Sequence, residues 1–333
     1  MINEYYLHQL MKKQERKKYL SNKHGIFTIN FPKRLKSKTK LKFTFKSGNT
    51  YILKGETLEN IDLIFPDSNV IVEGIEFFNC SIDVKNGMVS YYCNNKNNSI
   101  AKTNASQVNI YDYSCNRFIG FPITSENLYL YNVALSNTEQ EHHMDIFINA
   151  TDKIEIENSQ IHLISKSDIS LNPNQQFHFR CNNLIIKNSI ISTVVNDKSI
   201  KNNDNISIKD QSSMSIWIDA NDITLNNSSI ESGYNVNLFG NNLCLQNSLI
   251  ASIRNAELNF ETLSMDSESD IIAIEPIFWE KYISNYNISN NSNEIHYNCK
   301  KSIRNEEQQI NNYSSKIEKS YTIKKWLLNK IEI

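Results

Sequence analysis

Glycine and proline are scarce in this chain, with 8 and 5 occurrences in 333 residues. Tight turns built on these two residues cannot end most of its strands, so asparagine, which tolerates left-handed backbone, is the natural substitute. Long apolar runs are also missing, because no stretch approaches the roughly 18 residues that predict a membrane span. The N-terminal sequence has no secretory signal pattern either. We expect a soluble protein that is cytoplasmic, or exported by a route without a cleavable signal peptide.

The six cysteines follow no C-x-x-C spacing, so the sequence predicts neither a disulfide framework nor a zinc site. The segment EHHMD brings His142, His143 and Asp145 together, and His162 or His178 would have to supply a further metal ligand. Neighbouring histidines on a strand point to opposite sides, so at most one of the pair shares the side of Asp145. The pattern favours a surface turn over a metal site, and we expect no metal and no cofactor.

Positive charge is concentrated near the start of the chain, although the formal net charge is only −1. Residues 12–46 contain thirteen lysines and arginines and a single acidic residue, Glu15. Such a segment can attract an anionic partner such as a nucleic acid or an anionic membrane surface. The other interpretation is a solvated basic cap, which the sequence favours because no aromatic residues of a nucleic-acid-binding motif are interleaved.

An internal repeat dominates the middle of the chain. Each copy contains two stretches of alternating apolar and polar residues, an Asn- or Asp-rich corner between them, and an Asn-Ser pair shortly before an isoleucine. Alternation with a period of two predicts β-strands that bury one face. The four clearest copies are IFINATDKIEIENSQI (146–161), FHFRCNNLIIKNSII (177–191), IWIDANDITLNNSSI (216–230) and VNLFGNNLCLQNSLI (236–250).

The asparagine of the Asn-Ser pair marks the period of the repeat. The equivalent positions along the chain are Asn60, Asn79, Asp112, Asn132, Asn158, Asn188, Asn227 and Asn247. Intervals such as 112 to 132 and 227 to 247 are twenty residues, and the longer ones require inserted loops. Short strands that recur at this period predict the stacked turns of a parallel β-helix. We expect the asparagines to form an internal ladder in which each amide bonds to the next.

This pattern resembles the right-handed parallel β-helix superfamily that includes the pectate lyases, whose members often carry an asparagine ladder at a strand corner. The resemblance covers roughly residues 45–275 and implies the fold more than the function. The tetrapeptide WIDA at 217–220 looks like the pectate lyase sequence Trp-Ile-Asp-His, with Ala220 in place of the histidine. The Arg-x-Pro-x-x-Arg segment of the lyases is missing, as are the paired aspartates and the Gly-His-Gly of polygalacturonases.

We therefore predict an all-β chain in three parts. Residues 1–24 are polar and rich in helix formers, which predicts a basic helical cap over the first turn of the solenoid. Residues 25–275 are predicted to form the right-handed parallel β-helix. Residues 276–333 lose the repeat, and their closing sequence SSKIEKSYTIKKWLLNKI (314–331) predicts a mixed, partly helical cap.

The first strand of each copy points a distinctive set of side chains outward. Alignment of the copies predicts one outward column with Phe147, His178, Trp217, Asn237 and Glu257, and a second with Asn149, Arg180, Asp219, Phe239 and Asn259. Aromatic rings, amides and a few charges on one face are typical of a sugar-binding groove. Two long insertions, 165–176 and 195–213, lead into this strand and are expected to rise beside it as walls.

The resemblance implies that a polysaccharide or another glycan lies along this first-strand face. The expected binding residues are Phe147, Asn149, Trp217, Asn237 and Phe239. If the face is also catalytic, Asp219 is the acid or base, Arg180 neutralises a carboxylate of the substrate, and His178 moves a proton. The activity would then be that of a polysaccharide lyase or a glycoside hydrolase.

Two alternatives stay open for the same residues. The aromatic rings can simply pack beneath the long insertions, with Arg180 and Asp219 as an ion pair between neighbouring strands. The chain can also be a non-catalytic interaction scaffold, such as a bacterial effector or a particle component. An exposed face with a groove favours the glycan interpretation, and a covered face favours the scaffold.

Overall fold

The computed structural model describes residues 20–23, 25–93, 99–137, 145–164, 175–194, 214–252, 256–273 and 278–279. Every helix or strand element in these residues is a β-strand, so this part of the chain is all-β, as predicted. The same residues include no helix long and apolar enough to cross a membrane. Contacts divide the chain into two compact units, and each is described by itself.

The first unit comprises Met1–Cys115, Gly120–Ala134 and Asn149–Ile154. Its described strands are β1 (Leu20–Lys23), β2 (Ile26–Asn30), β3 (Arg34–Thr44), β4 (Thr50–Lys54), β5 (Thr57–Ile64), β6 (Asn69–Glu73), β7 (Glu76–Phe78), β8 (Ser81–Tyr92), β9 (Lys102–Tyr111), β10 (Ser114–Cys115) and β11 (Ile123–Tyr131). Three strands span the boundary between the units, namely β12 (Ala134–Ser136), β13 (Ile146–Asn149) and β14 (Lys153–Glu157).

The second unit comprises Asn116–Ile119, Leu135–Ile148 and Glu155–Ile333. Its described strands are β15 (Gln160–His162), β16 (Gln176–Lys187), β17 (Ile190–Ser192), β18 (Ser215–Asn226), β19 (Ser229–Ser232), β20 (Val236–Phe239), β21 (Asn242–Gln246), β22 (Leu249–Ser252), β23 (Ala256–Asn259), β24 (Thr262–Met265), β25 (Asp270–Ala273) and β26 (Phe278–Trp279).

Parallel pairing links strands that are far apart in sequence. In the first unit β8 pairs with β9 and β9 with β11, and in the second unit β16 pairs with β18, all in parallel. Strands β1 and β2 are antiparallel. The inward residues Phe177, Ile216 and Val236 occupy matching register positions and are fully buried. Stacked parallel strands with a continuous apolar interior are compatible with a parallel β-helix.

The corner positions of the repeat are occupied by asparagine, or by aspartate at Asp112, and not by glycine or proline. All eight residues predicted to mark the repeat have positive φ, including Asn79 at 51° and Asn227 at 49°. The left-handed region is unfavourable for most residues, and asparagine and aspartate tolerate it because their short polar side chains bond locally. The repeated asparagine is therefore the residue that turns the chain at each corner.

In the second unit the internal ladder is formed by serines and not by asparagines, which corrects the sequence prediction. The asparagine side chains bond to one another at the exposed surface, where Asn247 donates to Asn227 at 3.1 Å. The next residue points inward, because the left-handed turn redirects the chain, and it is buried. The backbone N–H of Ser189 donates to Ser228 Oγ at 3.2 Å, and that of Ser228 donates to Ser248 Oγ at 3.2 Å. A serine fits this corner because its small hydroxyl accepts a bond that a buried N–H requires.

The helical caps are not present among the described residues. Residues 1–19 lie outside them, and the described end of the predicted N-terminal helix, Leu20–Lys23, is a strand that pairs with Ile26–Asn30. Backbone pairing with a neighbouring strand prevails there over the local preference for helix. Of the predicted C-terminal cap, only the short strand Phe278–Trp279 is described.

Candidate functional site

The second unit brings most of the predicted site residues onto one outward face. Strand register places His178 beside Trp217 and Arg180 beside Asp219. The next strand continues both columns, with Asn237 beside Trp217 and Phe239 beside Asp219. Since buried residues alternate with these positions, the side chains lie on the opposite face of the sheet from the core. The predicted register of the two outward columns is confirmed for these three strands.

Four of these side chains form a continuous line of ring contacts, which we call the aromatic row: Phe147, His178, Trp217 and Phe239. The ring centroids of Phe147 and His178 lie 4.5 Å apart with the planes inclined by 13°. The ring of Trp217 lies 6.1 Å from that of His178 and 4.8 Å from that of Phe239. Phe147 is 46% exposed, whereas His178, Trp217 and Phe239 are partly buried. The row offers an extended aromatic surface that solvent reaches.

An ion pair lies beside the aromatic row. Arg180 Nε is 3.6 Å from Asp219 Oδ2, and the two side chains are 78% and 57% exposed. An exposed pair of this kind contributes less than about 1 kcal/mol to stability, so either partner can exchange its contact for a ligand. The structure thus realises the predicted ion pair while leaving both charged groups accessible from solvent.

His178 is the titratable ring of the row. Burial lowers the pKa of its imidazole below the ordinary value, and the negative charge of Asp145 opposes part of that change. The lowered pKa keeps the ring neutral near pH 7, so that one nitrogen accepts a hydrogen bond and the other donates one. A neutral imidazole stacked on Phe147 can therefore bond to a hydroxyl of a ligand.

Two predicted binding residues are less available than the sequence suggested. Asn237 is only 9% exposed despite its outward position, so it lies at the base of the face. Asn149 is exposed at the end of β13 but belongs to the first unit, whereas the other predicted site residues belong to the second. Most of both predicted insertions, 165–174 and 195–213, lies outside the described residues, so their role as walls stays a prediction.

The alternative metal site is only partly described. His142 and His143 lie outside the described residues, and Asp145 accepts a hydrogen bond from the backbone N–H of Gln176 at 2.9 Å. Within the described ranges, no three histidines, cysteines or acidic residues are grouped so as to hold a metal ion.

Acidic partners lie beside several cations in the described part of the basic segment that the sequence singled out. Strand β5 lies beside β3, and its Glu59 pairs with Lys36 at 2.6 Å while its Asp62 pairs with Lys40 at 3.1 Å. Lys33 also lies 3.8 Å from Glu56. These pairs reduce the positive potential of the described part of 12–46, and binding of an anionic partner there stays a prediction.

The first unit carries a second aromatic cluster that the repeat alignment did not single out. We call it the tyrosine surface, and it consists of Tyr92, Tyr111, Tyr129 and Tyr131. Register aligns Tyr92, Tyr111 and Tyr131 on the adjacent strands β8, β9 and β11. The signal was present in the sequence, because Tyr129 and Tyr131 alternate in LYLYN directly before a corner asparagine.

Comparison with known proteins adds no family assignment. No protein-family model, curated protein or solved structure matches this chain.

Proposed function

We propose that the second unit binds a carbohydrate polymer along the aromatic row. We also propose that the chain is a right-handed parallel β-helix, to which the stacked parallel strands and the twenty-residue period give support. In such a fold, residues at equivalent strand positions form a straight outward line, which suits a polymeric ligand. A sugar suits this face because its rings can stack on the aromatic side chains and its hydroxyl groups can bond to the neighbouring polar groups.

The observation that carries the proposal is the unbroken ring contact from Phe147 through His178 and Trp217 to Phe239. Aromatic rings bind the apolar face of a sugar while polar neighbours bond to its hydroxyls. Arg180 supplies donors and Asp219 supplies acceptors directly beside the row. Because rings and charges lie on one exposed face, stacking and hydrogen bonding can act on the same ligand.

Binding has more support than catalysis at this face. Asp219 and Arg180 already pair with each other, and both side chains are open to solvent and not enclosed in a cleft. Burial lowers the pKa of His178 and leaves the imidazole neutral near pH 7, so His178 is the better candidate to accept a proton. If the protein turns over its ligand, a lyase or hydrolase reaction using Asp219, Arg180 and His178 remains the proposed chemistry.

A glycan array followed by titration of any hit tests the proposal. We expect Trp217→Ala to weaken binding by about tenfold or more, because the central ring of the row is lost. Ile190→Ala is the matched control, since Ile190 is 43% exposed in the same unit but lies on β17. Asp219→Asn distinguishes an enzyme from a binding protein. In an enzyme this change should abolish turnover of the bound glycan, whereas a binding protein shows no turnover in the wild type either. If no glycan binds, or if Trp217→Ala leaves the affinity for the bound glycans unchanged, the interaction scaffold is favoured.

A further inference from the structure

The tyrosine surface is built on the outward positions of three neighbouring strands in the first unit. Tyr92 pairs in register with Tyr111, and Tyr111 with Tyr131, while Tyr129 lies beside Asn109. The intervening residues Tyr91, Ile110 and Leu130 point into the core and are buried. The four phenol rings therefore project from the sheet on the side opposite to the core.

The rings form two pairs. The planes are nearly parallel within each pair, and the two pairs are inclined to each other. Tyr92 and Tyr111 are stacked, with centroids 4.7 Å apart and planes inclined by 11°, and Tyr129 and Tyr131 are inclined by only 17°. Between the pairs, the plane of Tyr111 makes angles of 66° with Tyr129 and 58° with Tyr131. The surface therefore presents aromatic rings in two orientations.

Polar groups beneath the rings are held in fixed positions. Asn109 points outward but is only 4% exposed, and its amide donates to Ser90 Oγ at 3.0 Å. Gln107 Nε2 in turn donates to Asn109 Oδ1 at 2.8 Å. This bonding orders the floor of the surface before any ligand arrives, which lowers the entropy cost of binding.

The surface carries no formal charge along its two columns. These columns are Tyr92, Tyr111 and Tyr131 in one, and Ser90, Asn109 and Tyr129 in the other. At the adjoining position, Glu73 is neutralised by Lys54, whose Nζ lies 2.7 Å from the carboxylate. Burial raises the pKa of Tyr111 above its ordinary value, and its protonated phenol is available to donate a hydrogen bond to a ligand. Within β8, β9 and β11, the two columns therefore offer ring faces and hydroxyl groups to a ligand and no charge.

We propose that the tyrosine surface is a second glycan-binding site that selects uncharged oligosaccharides. It lies in a different unit from the aromatic row and does not depend on the function proposed there. Phenol rings contribute large contact area at low conformational cost, and their hydroxyls bond to sugar hydroxyls at the rim. A proline-rich peptide also docks on aromatic-lined surfaces, so it is the competing occupant that the test compares directly.

The test measures binding of uncharged gluco-, manno- and xylohexaose to the full chain carrying Trp217→Ala, which isolates the tyrosine surface. We expect at least one hexasaccharide to bind, and the double change Tyr92→Ala with Tyr131→Ala to weaken it by about tenfold. Phe78→Ala is the matched control, because Phe78 is a 50% exposed ring of the same unit outside the surface. This control should leave the affinity unchanged.

A second measurement covers the case in which the double variant fails to fold. Nitration of tyrosines in the chain carrying only Trp217→Ala should decrease at Tyr92 and Tyr111 when the bound hexasaccharide is present at saturation. The proposal is overturned if no uncharged hexasaccharide binds or if the double tyrosine change leaves the affinity unchanged. It is also overturned if Tyr92 and Tyr111 are nitrated equally with and without the hexasaccharide. Binding of a polyproline peptide in preference to all three sugars would also overturn it, as would a dimer that Tyr92→Ala dissociates. Each of these results leaves the proposal for the aromatic row intact.

Discussion

The two units use the same backbone device but present different surfaces. In both, a corner asparagine with positive φ ends the strand, as Asn79 does in the first unit and Asn227 in the second. The first unit then displays tyrosines without charge, whereas the second displays the aromatic row beside the ion pair of Arg180 and Asp219. The outward residues of the strands therefore vary independently of the corner residues and of the buried core.

The interiors of the two units also differ at the position that follows the corner asparagine. In the second unit it is a buried serine such as Ser228. In the first unit it varies, and after Asn79 it is Cys80, whose Sγ accepts a bond from the backbone N–H of Ile61 at 3.4 Å. A thiol is the weaker acceptor. The same corner geometry is therefore satisfied more strongly by serine than by cysteine.

The largest expected effect concerns the corner that both units share. Asn227→Leu and Asn79→Leu should each lower the free energy of unfolding by about 1–3 kcal/mol, because leucine is strained at positive φ and the amide bonds are lost. Chemical denaturation measures this change. Replacement by glycine should cost less, since glycine adopts positive φ without strain.

The neighbouring Asn226 is the matched control for this prediction. It is exposed, has no positive φ, and donates to Gln246 Oε1 at 3.2 Å. Asn226→Leu should be nearly neutral. A greater loss of stability from Asn226→Leu than from Asn227→Leu would show that the corner has been assigned to the wrong residue.

A smaller effect should distinguish the two surfaces by charge. Arg180→Ala removes charged donors beside the aromatic row, so glycan affinity of the second unit should fall by several-fold, on the order of one charged hydrogen bond. Binding of an uncharged hexasaccharide to the tyrosine surface should not change. Lys187→Ala is the control. Lys187 is a cation of the same unit outside the row, and its Nζ lies 2.7 Å from Glu155 Oε1. Equal losses at both surfaces would contradict the distinction.

The smallest effect separates the units by their response to pH. Burial lowers the pKa of His162 and His178 in the second unit, so its stability should fall as pH drops below the ordinary histidine value of 6.5. The unfolded chain gains protons there that the folded unit does not bind. In the first unit, burial raises the pKa of Cys93 to about 12, so stability should fall as pH rises above its ordinary value of 9.0.

Hydrogen exchange resolved by peptide measures the acid response, and chemical denaturation on either side of pH 9 measures the alkaline one. Between pH 7 and pH 5, after correction for intrinsic rates, protection should decrease more in strands β16 and β18 than in β8 and β9. His178→Asn should reduce that difference. The reverse order, with the first unit more sensitive to acid, would contradict the assignment.

The sequence alone predicts the strand register and the corner positions well, because both follow from alternation and from the conformational freedom of asparagine. His178 beside Trp217 and Arg180 beside Asp219 are examples that the structure confirms. The direction of the corner side chains was wrong, since a repeated Asn-Ser pair does not by itself show which member points inward. The tyrosine surface was missed because its residues lie in copies where the repeat is weakest.

The most direct test of the account is side-chain footprinting of the wild-type chain saturated with each glycan that binds it. The account predicts protection of Phe147, Trp217 and Phe239 by a ligand of the aromatic row, and of Tyr92, Tyr111 and Tyr131 by an uncharged oligosaccharide. Trp217→Ala should abolish the first footprint and leave the second. Protection confined to other residues, or no glycan that protects either set, would contradict the claim that these two aromatic surfaces bind sugars.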